Sequence, residues 1–335
     1  MIASMTLSCA KGAHEPVFSG TQVEFALPEV ENVKAAFVED AGALAEGYGV
    51  YALKYTSDQD KTLFMDNVRV YRKSDDVWGY DEEYFWSPGA YHTFFAIYPY
   101  EGTGKYHYAS TELGMTVTQK DGATIETGVG KNPQDILYAV KTFDSEPFDP
   151  AKTPEKVFFN MRHAFSCVRF DVVNHSDFII EKVQGKIWGK EKDGILPGLY
   201  DTATSLMVSA SEARSVWDGR GIGNGKFEFS ADAMNLTQGA ETKVFEEIVI
   251  PQNINTTDTG KDKVYLHLTV YFKGEKSPSE FSVCLSDIEL ASQEALYKKT
   301  YLPGKRYRYA LNVTSDYVSC GVTLVDWDED DIIDL

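Results

Sequence analysis

Three observations predict an all-β fold. Short runs rich in β-branched and aromatic residues alternate with a period of two: 166–173 (SCVRFDVV), 264–272 (VYLHLTVYF), 306–314 (RYRYALNVT) and 321–327 (GVTLVDW). Gly, Pro, Asn or Asp bounds these runs. Almost nothing sustains a helical period, and SQEALYKK at 292–299 manages two turns at most. Many short strands separated by turns pack as sandwiches or barrels.

At 335 residues the chain is longer than one ordinary domain, so two domains are expected, and 43% hydrophobic content is enough for a core of ordinary size. A net charge of -19 without a basic patch excludes nucleic acid and anionic membrane surfaces as partners. No apolar run approaches the roughly 18–20 residues of a membrane span, so any membrane attachment comes through something other than a helix.

In chain order, residues 1–19 read as a signal remnant and linker. MIASMTLSCAKG is apolar and small-residue-rich and ends in Leu7-Ser8-Cys9, which resembles a bacterial lipobox, with Cys9 as the lipidation site. It has no basic region and its apolar part is short for a signal, so the expectation is that the natural start lies further upstream. TQVEFALP (21–28) follows as the first strand, with Val23, Phe25 and Leu27 on one face. In the ring-rich stretch YFWSPGAYHTFFAIYPY (84–100), Phe94, Ala96 and Tyr98 alternate with Phe95 and Ile97. Both faces are apolar, so this is a central strand covered on each side and ended by Pro99. SPG (87–89) is read as the turn of a hairpin that pairs Tyr84-Phe85-Trp86 with it. Burial of each large ring contributes about 1.5–3 kcal/mol, which explains the stretch without a ligand.

FDSEPFDPAKTPEK (143–156) carries three prolines and no periodic pattern. A boundary near 150 is expected there, dividing an N-terminal sandwich (20–150) from a C-terminal one with an acidic tail (151–335).

Candidate chemistry is sparse. The histidines (His14, His92, His107, His163, His175, His267) lack the spacing that sets two imidazoles on one helical face, and no metal site or cofactor is expected. His163 is read as a strand-entry residue whose ring packs and hydrogen-bonds locally. No G-x-S-x-G elbow occurs, and GRGIGNG (219–225) lacks the lysine and helix of a phosphate loop, so it reads as a hairpin loop. Cys167, Cys284 and Cys320 read as buried small hydrophobes, with the pairing of Cys284 and Cys320 left open. Asp326, Asp328, Asp330 and Asp331 lack the glycine and closing glutamate of a calcium loop and read as a solvated tail. No catalysis is expected, although a carboxylate pair for hydrolysis has no sequence signature that would reveal it.

VWGYDEEYFWSPGAYHTFFAIYPY (77–100), DILYAV (135–140), VFFNMRHAFSCVRFDVV (157–173) and YLPGKRYRYALNVTSDYVSCGVTLVDWDED (301–330) occur in an order that resembles the fimbrillin-like proteins. These are subunits of type V pili and related lipoproteins of anaerobic Gram-negative bacteria. The resemblance spans about residues 20–330. It implies two tandem transthyretin-like β-sandwiches, export as an outer-membrane lipoprotein, and assembly with other pilus subunits by strand exchange at the cell surface. It also implies processing after an arginine that follows the first strand. Here no arginine precedes Arg69, and Lys34 in ENVKAAF is the candidate processing site. The C-terminal segment from Val318 is the natural donor strand, but burying its unpaired carboxylates costs several kcal/mol. Its acidic end is therefore expected to stay in water while Val322, Leu324 and Trp327 pack.

The reading is thus a lipid-anchored surface pilus subunit with a role in adhesion to a host or bacterial receptor. The alternative is a surface lipoprotein that binds glycans on exposed rings, with Trp188, Trp217 and KYHY (105–108) as the residues to inspect.

Overall fold

The computed structural model describes residues 20–30, 43–57, 60–74, 77–111, 114–122, 124–129, 131, 133–189, 199–209, 215–221, 227–254, 263–288 and 300–326. The chain is all-β, with two short 3-10 turns at Ala43–Glu46 and Leu285–Asp287 as the helical elements of the described residues.

The largest sheet has seven strands, in the order β1 (Glu29–Val30), β10 (Asn160–His163), β9 (Leu137–Phe143), β5 (Tyr91–Tyr98), β2 (Tyr48–Tyr55), β3 (Thr62–Ser74) and β4 (Val77–Gly79). At its centre β5 pairs with β2 on one side and β9 on the other, and Phe94, Phe95, Ala96 and Ile97 are all fully buried. Apolar residues on both faces therefore do make a central, doubly covered strand. β3 carries an extra residue opposite β2 between Met65 and Val68. Asn67 takes φ 50° there, a left-handed conformation that asparagine tolerates better than most residues and that bends the strand.

One face of this sheet curls around a core to which β2 gives Tyr48 and Val50, β5 gives Phe94, β9 gives Leu137 and β10 gives Met161. The other face, through Tyr51, Phe95, Ile97 and Tyr138, packs on a second sheet of β6 (Tyr106–Thr111), β7 (Gly114–Gln119), β14 (Ser205–Ser209) and β15 (Ser215–Asp218). Gly114 is required in β7, because a Cβ there would lie 2.0 Å from the Val208 carbonyl oxygen of β14. β8 (Ile125–Glu126) pairs with β13 (Thr202–Ala203) alongside.

The third core lies between two four-stranded sheets. One has the order β17 (Glu241–Val249), β11 (Ser166–Asn174), β22 (Lys305–Val313), β23 (Val318–Asp326). The other runs β16 (Glu228–Ala231), β12 (Ile180–Gly189), β19 (Val264–Phe272), β20 (Ser279–Cys284). Phe170, Phe245, Leu268 and Tyr309 meet between them. A short pair, β18 (Gln252–Asn253) and β21 (Thr300–Tyr301), sits beside this sandwich.

The division expected after residue 150 is not how the sheets divide. β10 completes the first sheet, and the chain passes to the second sandwich between His163 and Ser166. Residues 202–209 then return to pair with β8 and β7. The expected hairpin is also corrected. Both edges of β5 are occupied by β2 and β9, so Tyr84–Trp86 pairs instead with the Thr21–Val23 stretch. Pro88 and Gly89 do form the turn, closed by Ala90 N–H on Ser87 O at 3.2 Å.

Candidate functional site

The feature that sets this fold apart lies where the seven-stranded sheet runs out of strands. Its two ends are β1 and β4, and residues 20–28, which lead into β1, lie between them. Phe25 bridges Trp78 of β4 in antiparallel sense and Val157, just before β10, in parallel sense. The sheet thus curls until one short segment closes it into a barrel.

The backbone holds this segment on two walls. On the first, Val23 N–H donates to Tyr84 O (2.9 Å) and Trp86 N–H to Thr21 O (2.9 Å), and the Tyr80 hydroxyl donates to Val23 O at 2.6 Å. Burial holds that phenol above its usual pKa. On the second, Ala26 N–H donates to Val157 O (3.0 Å), Val157 N–H to Glu24 O (2.8 Å) and Glu29 N–H to Phe159 O (2.9 Å). Inside, Val23 and Phe25 are buried; the Phe25 ring stacks on Phe159 at 6.0 Å and meets Tyr80 and Phe94 edge-on at 5.6 and 6.4 Å. Outside, exposed Glu24 meets Lys156 Nζ at 3.1 Å. A cleft of about 370 Å³ runs alongside, lined by Gln22–Phe25 and Val77–Tyr80 with Lys73 and Lys156 on its rim.

Leu27 breaks the expected face, being 46% exposed while Pro28 is buried. A regular parallel ladder would continue from Ala26 to a donor at position 28, but proline has no N–H. Phe159 O instead accepts from Glu29, one residue further on, and the added residue flips the alternation.

The other expected sites fall as follows. Cys9, Lys34 and Trp327 lie outside the described residues, as do SQEALYKK and most of GRGIGNG. Val322 is buried and Leu324 half-buried on β23, the last strand of its sheet, opposite Tyr309 and Tyr307. Among the rings considered for glycans, Trp217 is buried, donates its indole N–H to Ala164 O (3.0 Å) and packs on Phe165. Tyr106 and Tyr108 are buried too, and the Trp188 side chain lies outside the description. Of the walls of the seam, Tyr80, Lys156, Val157 and Phe159 were not singled out from the sequence, and Tyr84 was read there as a hairpin partner of β5. The one signal for them is the in–out alternation of 157–161, which marks a strand without naming its partner.

The thiols differ from expectation. Cys167 is buried, but Cys284 and Cys320 are only half-buried because β20 and β23 end their sheets, and all three are free. Burial pushes the Cys320 thiol up to about 12. His163 is fully buried and pairs with Asp135, Nδ1 to Oδ2, at 2.6 Å. His92, on β5, accepts from Ser87 N–H (3.3 Å) at Nε2 and packs edge-on against Trp86. Burial, with Lys54 adding to it, lowers its pKa to about 4, so it is neutral in the fold at ordinary pH. In the second sandwich, fully buried Asp171 accepts from Arg169 Nε (2.9 Å) and from Arg308, which also reaches Glu241. Among the described residues, no group of three or more His, Cys, Asp or Glu side chains is placed to hold a metal ion, and no helix is long and apolar enough to cross a membrane.

What the fold and this seam define is an all-β structural subunit. Residues 38–327 match the Fimbrillin-like family, and the chain belongs to that family. Membership sets it among the structural subunits of surface fimbriae. A fimbrial protein of Bacteroides vulgatus has a similar fold, at 16% identity and a TM-score of 0.57, over 91% of this chain and 99% of that one. A candidate cell adhesion protein of Bacteroides ovatus is similar at 13% identity and a TM-score of 0.52, over 93% and 100% of the two chains. No curated protein sequence matches.

Proposed function

We propose that the protein joins its neighbours in a fimbrium by strand exchange through the seam occupied by residues 20–30. The observation that carries this reading is the barrel closed by a single inserted segment. Its departure would bare the carbonyls of Tyr84, Val157 and Phe159, together with the rings of Tyr80, Phe94 and Phe159. A strand from another subunit satisfies both needs at once, its backbone pairing with the walls while alternate side chains enter the barrel.

The segment leaves once the chain is cut after it. Arg69, the first arginine, sits inside β3 with its guanidinium donating to Glu46 O and lying over the Tyr71 and Tyr100 rings, which is poor protease substrate geometry. Lys34, four residues beyond Val30, is the cut site that fits. Export as an outer-membrane lipoprotein through Cys9, and adhesion to a surface receptor, complete the proposal.

Limited proteolysis with size analysis tests it. Cleavage between 28 and 40 followed by ladders stable in detergent is the expected result. A chain that resists cleavage there and stays monomeric would sink the exchange reading.

A further inference from the structure

The proline-bearing stretch after β9 does not divide the sandwiches, and the structure shows another use for it. β10 pairs with β9 at Leu137 and Tyr138 alone, so among the described residues 139–143 have a ladder partner only on the β5 side. Beside this edge the chain folds back on the barrel. Phe148 N–H donates to Ala90 O and Gly89 N–H to Phe148 O, both at 2.8 Å, and Asp149 Oδ1 accepts from Ala151 N–H at 2.9 Å. These bonds fix the stretch as an outer wall, and a cavity of about 390 Å³ lies between it and the barrel wall of Trp86, His92 and Phe143. That size falls in the range of about 300–1,000 Å³ usual for small-ligand sites.

The lining sets the chemistry a ligand must have. Phe143 and Phe148 are half-buried, so both leave apolar ring surface uncovered beside the cavity. Lys141 stands on the face of β9 that Leu137, Ala139 and Phe143 give to the barrel core, with Nζ 5.2 Å from the centre of the Phe143 ring. Among the described residues no carboxylate pairs with it, although the chain carries a net charge of -19. The other ammonium, Lys152, is already held by both oxygens of Glu146 at 2.7 Å. Thr142 and Thr153 add hydroxyls, and on the floor the Trp86 indole N–H has no acceptor in the fold. An unpaired cation beside two rings calls for a ligand with one negative group and apolar C–H faces. The surrounding hydroxyls and the carboxylate–ammonium pair call for hydroxyls on that ligand as well.

We infer that this cavity binds a saccharide bearing a carboxylate, of the uronate class, with the carboxylate on Lys141, the sugar ring against Phe143 and Phe148, and hydroxyls on Glu146 and Thr142. The inference rests on the adhesion part of the reading above, to which it gives a ligand class, and is independent of strand exchange. It also moves the candidate glycan site, because Trp217, Tyr106 and Tyr108 are enclosed by the core while these two rings are not. Charge selectivity lies with Lys141, since its ammonium makes a charge-assisted hydrogen bond to a carboxylate and a weaker one to a neutral hydroxyl.

The test titrates the full, uncut chain with methyl glucuronide, methyl glucoside and cyclohexanecarboxylate, read by calorimetry and ligand-observed NMR. The glucuronide should bind about tenfold or more tightly than the glucoside, as one charge-assisted bond requires. Lys141→Gln should abolish that preference and Lys141→Arg should keep it, a signature that a merely structural role for the residue would not give. Phe148→Ala should weaken both sugars alike and leave their ratio unchanged. Equal binding of the two sugars to wild type, a preference that survives Lys141→Gln, or no saturable binding of the glucuronide overturns the inference. Cyclohexanecarboxylate binding as tightly as the glucuronide overturns the saccharide class. Saturable binding of the glucuronide that neither Lys141→Gln nor Phe148→Ala alters overturns the cavity and leaves adhesion standing, and none of these results touches exchange.

Discussion

Replacing Phe25 with alanine isolates the energetics of the seam. The ring is 4% exposed and has aromatic partners on three sides, Phe159, Tyr80 and Phe94. Truncating a ring so placed costs about 3–5 kcal/mol. If residues 20–30 detach as a unit, that loss falls on the detachment equilibrium, and about 3 kcal/mol corresponds to roughly a hundredfold. The reporters are the amides of Trp86 and Val157, whose acceptors are Thr21 O and Glu24 O on the segment itself. Native-state hydrogen exchange should show both accelerated about a hundredfold or more in Phe25→Ala, while amides of β12 and β19 keep their wild-type rates. Equal acceleration of β12 and β19 would refute the argument, because the segment would then open only with global unfolding.

Three further outcomes follow from the packing. His92 is neutral in the fold down to about pH 4, whereas in the unfolded chain it takes up a proton near its ordinary 6.5. Its contribution is therefore present above pH 6.5 and is lost as the pH falls toward 4, by up to about 1.4 kcal/mol per pH unit. Urea unfolding of His92→Gln across that window should show a shallower pH dependence than wild type, and identical slopes would refute the assignment. Asp171→Ala leaves Arg169 and Arg308 without their buried carboxylate and should lower unfolding free energy by roughly 3–5 kcal/mol in denaturant titrations. Gly114→Ala drives a methyl into the Val208 carbonyl and should cost about 1–3 kcal/mol, read as a lower midpoint, whereas Gly122→Ala has open space and loses only through its positive φ.

Much of the strand content was legible because period-two alternation is a local signal. The runs at 264–272 and 306–314 are β19 and nearly all of β22, and the doubly apolar run at 91–98 is the central strand. What failed was partnership. Trp86 reads as a strand residue beside a turn, yet nothing local says that both edges of β5 are already taken. Residues 202–209 carry no mark of their return to β7 and β8, since strand pairing at long sequence separation is decided by the assembled sheet. Trp217 looks like a ring available to a ligand until Phe165 and the Ala164 carbonyl enclose it. At the seam, Val23 and Phe25 could be read from alternation, while Leu27 could not without knowing that Phe159 O needs a donor that Pro28 lacks. The Lys156–Glu24 pair and the buried Asp171 carboxylate were hidden among the many charges of an acidic chain.

The directions of two ladders bear on how a fibre of such subunits would carry tension. In the exchange proposed above an incoming strand would replace β1 beside β10, and β11, two residues beyond β10, runs parallel to β22, which hands on to β23. A pull applied between the groove and the C-terminal strand would load these ladders along their length. Hydrogen bonds loaded in that direction must yield together, whereas bonds peeled from one end yield singly. The route from one joint of the filament to the next would thus pass through rows of bonds arranged to share load, leaving the returning strands at 202–218 off the line of force.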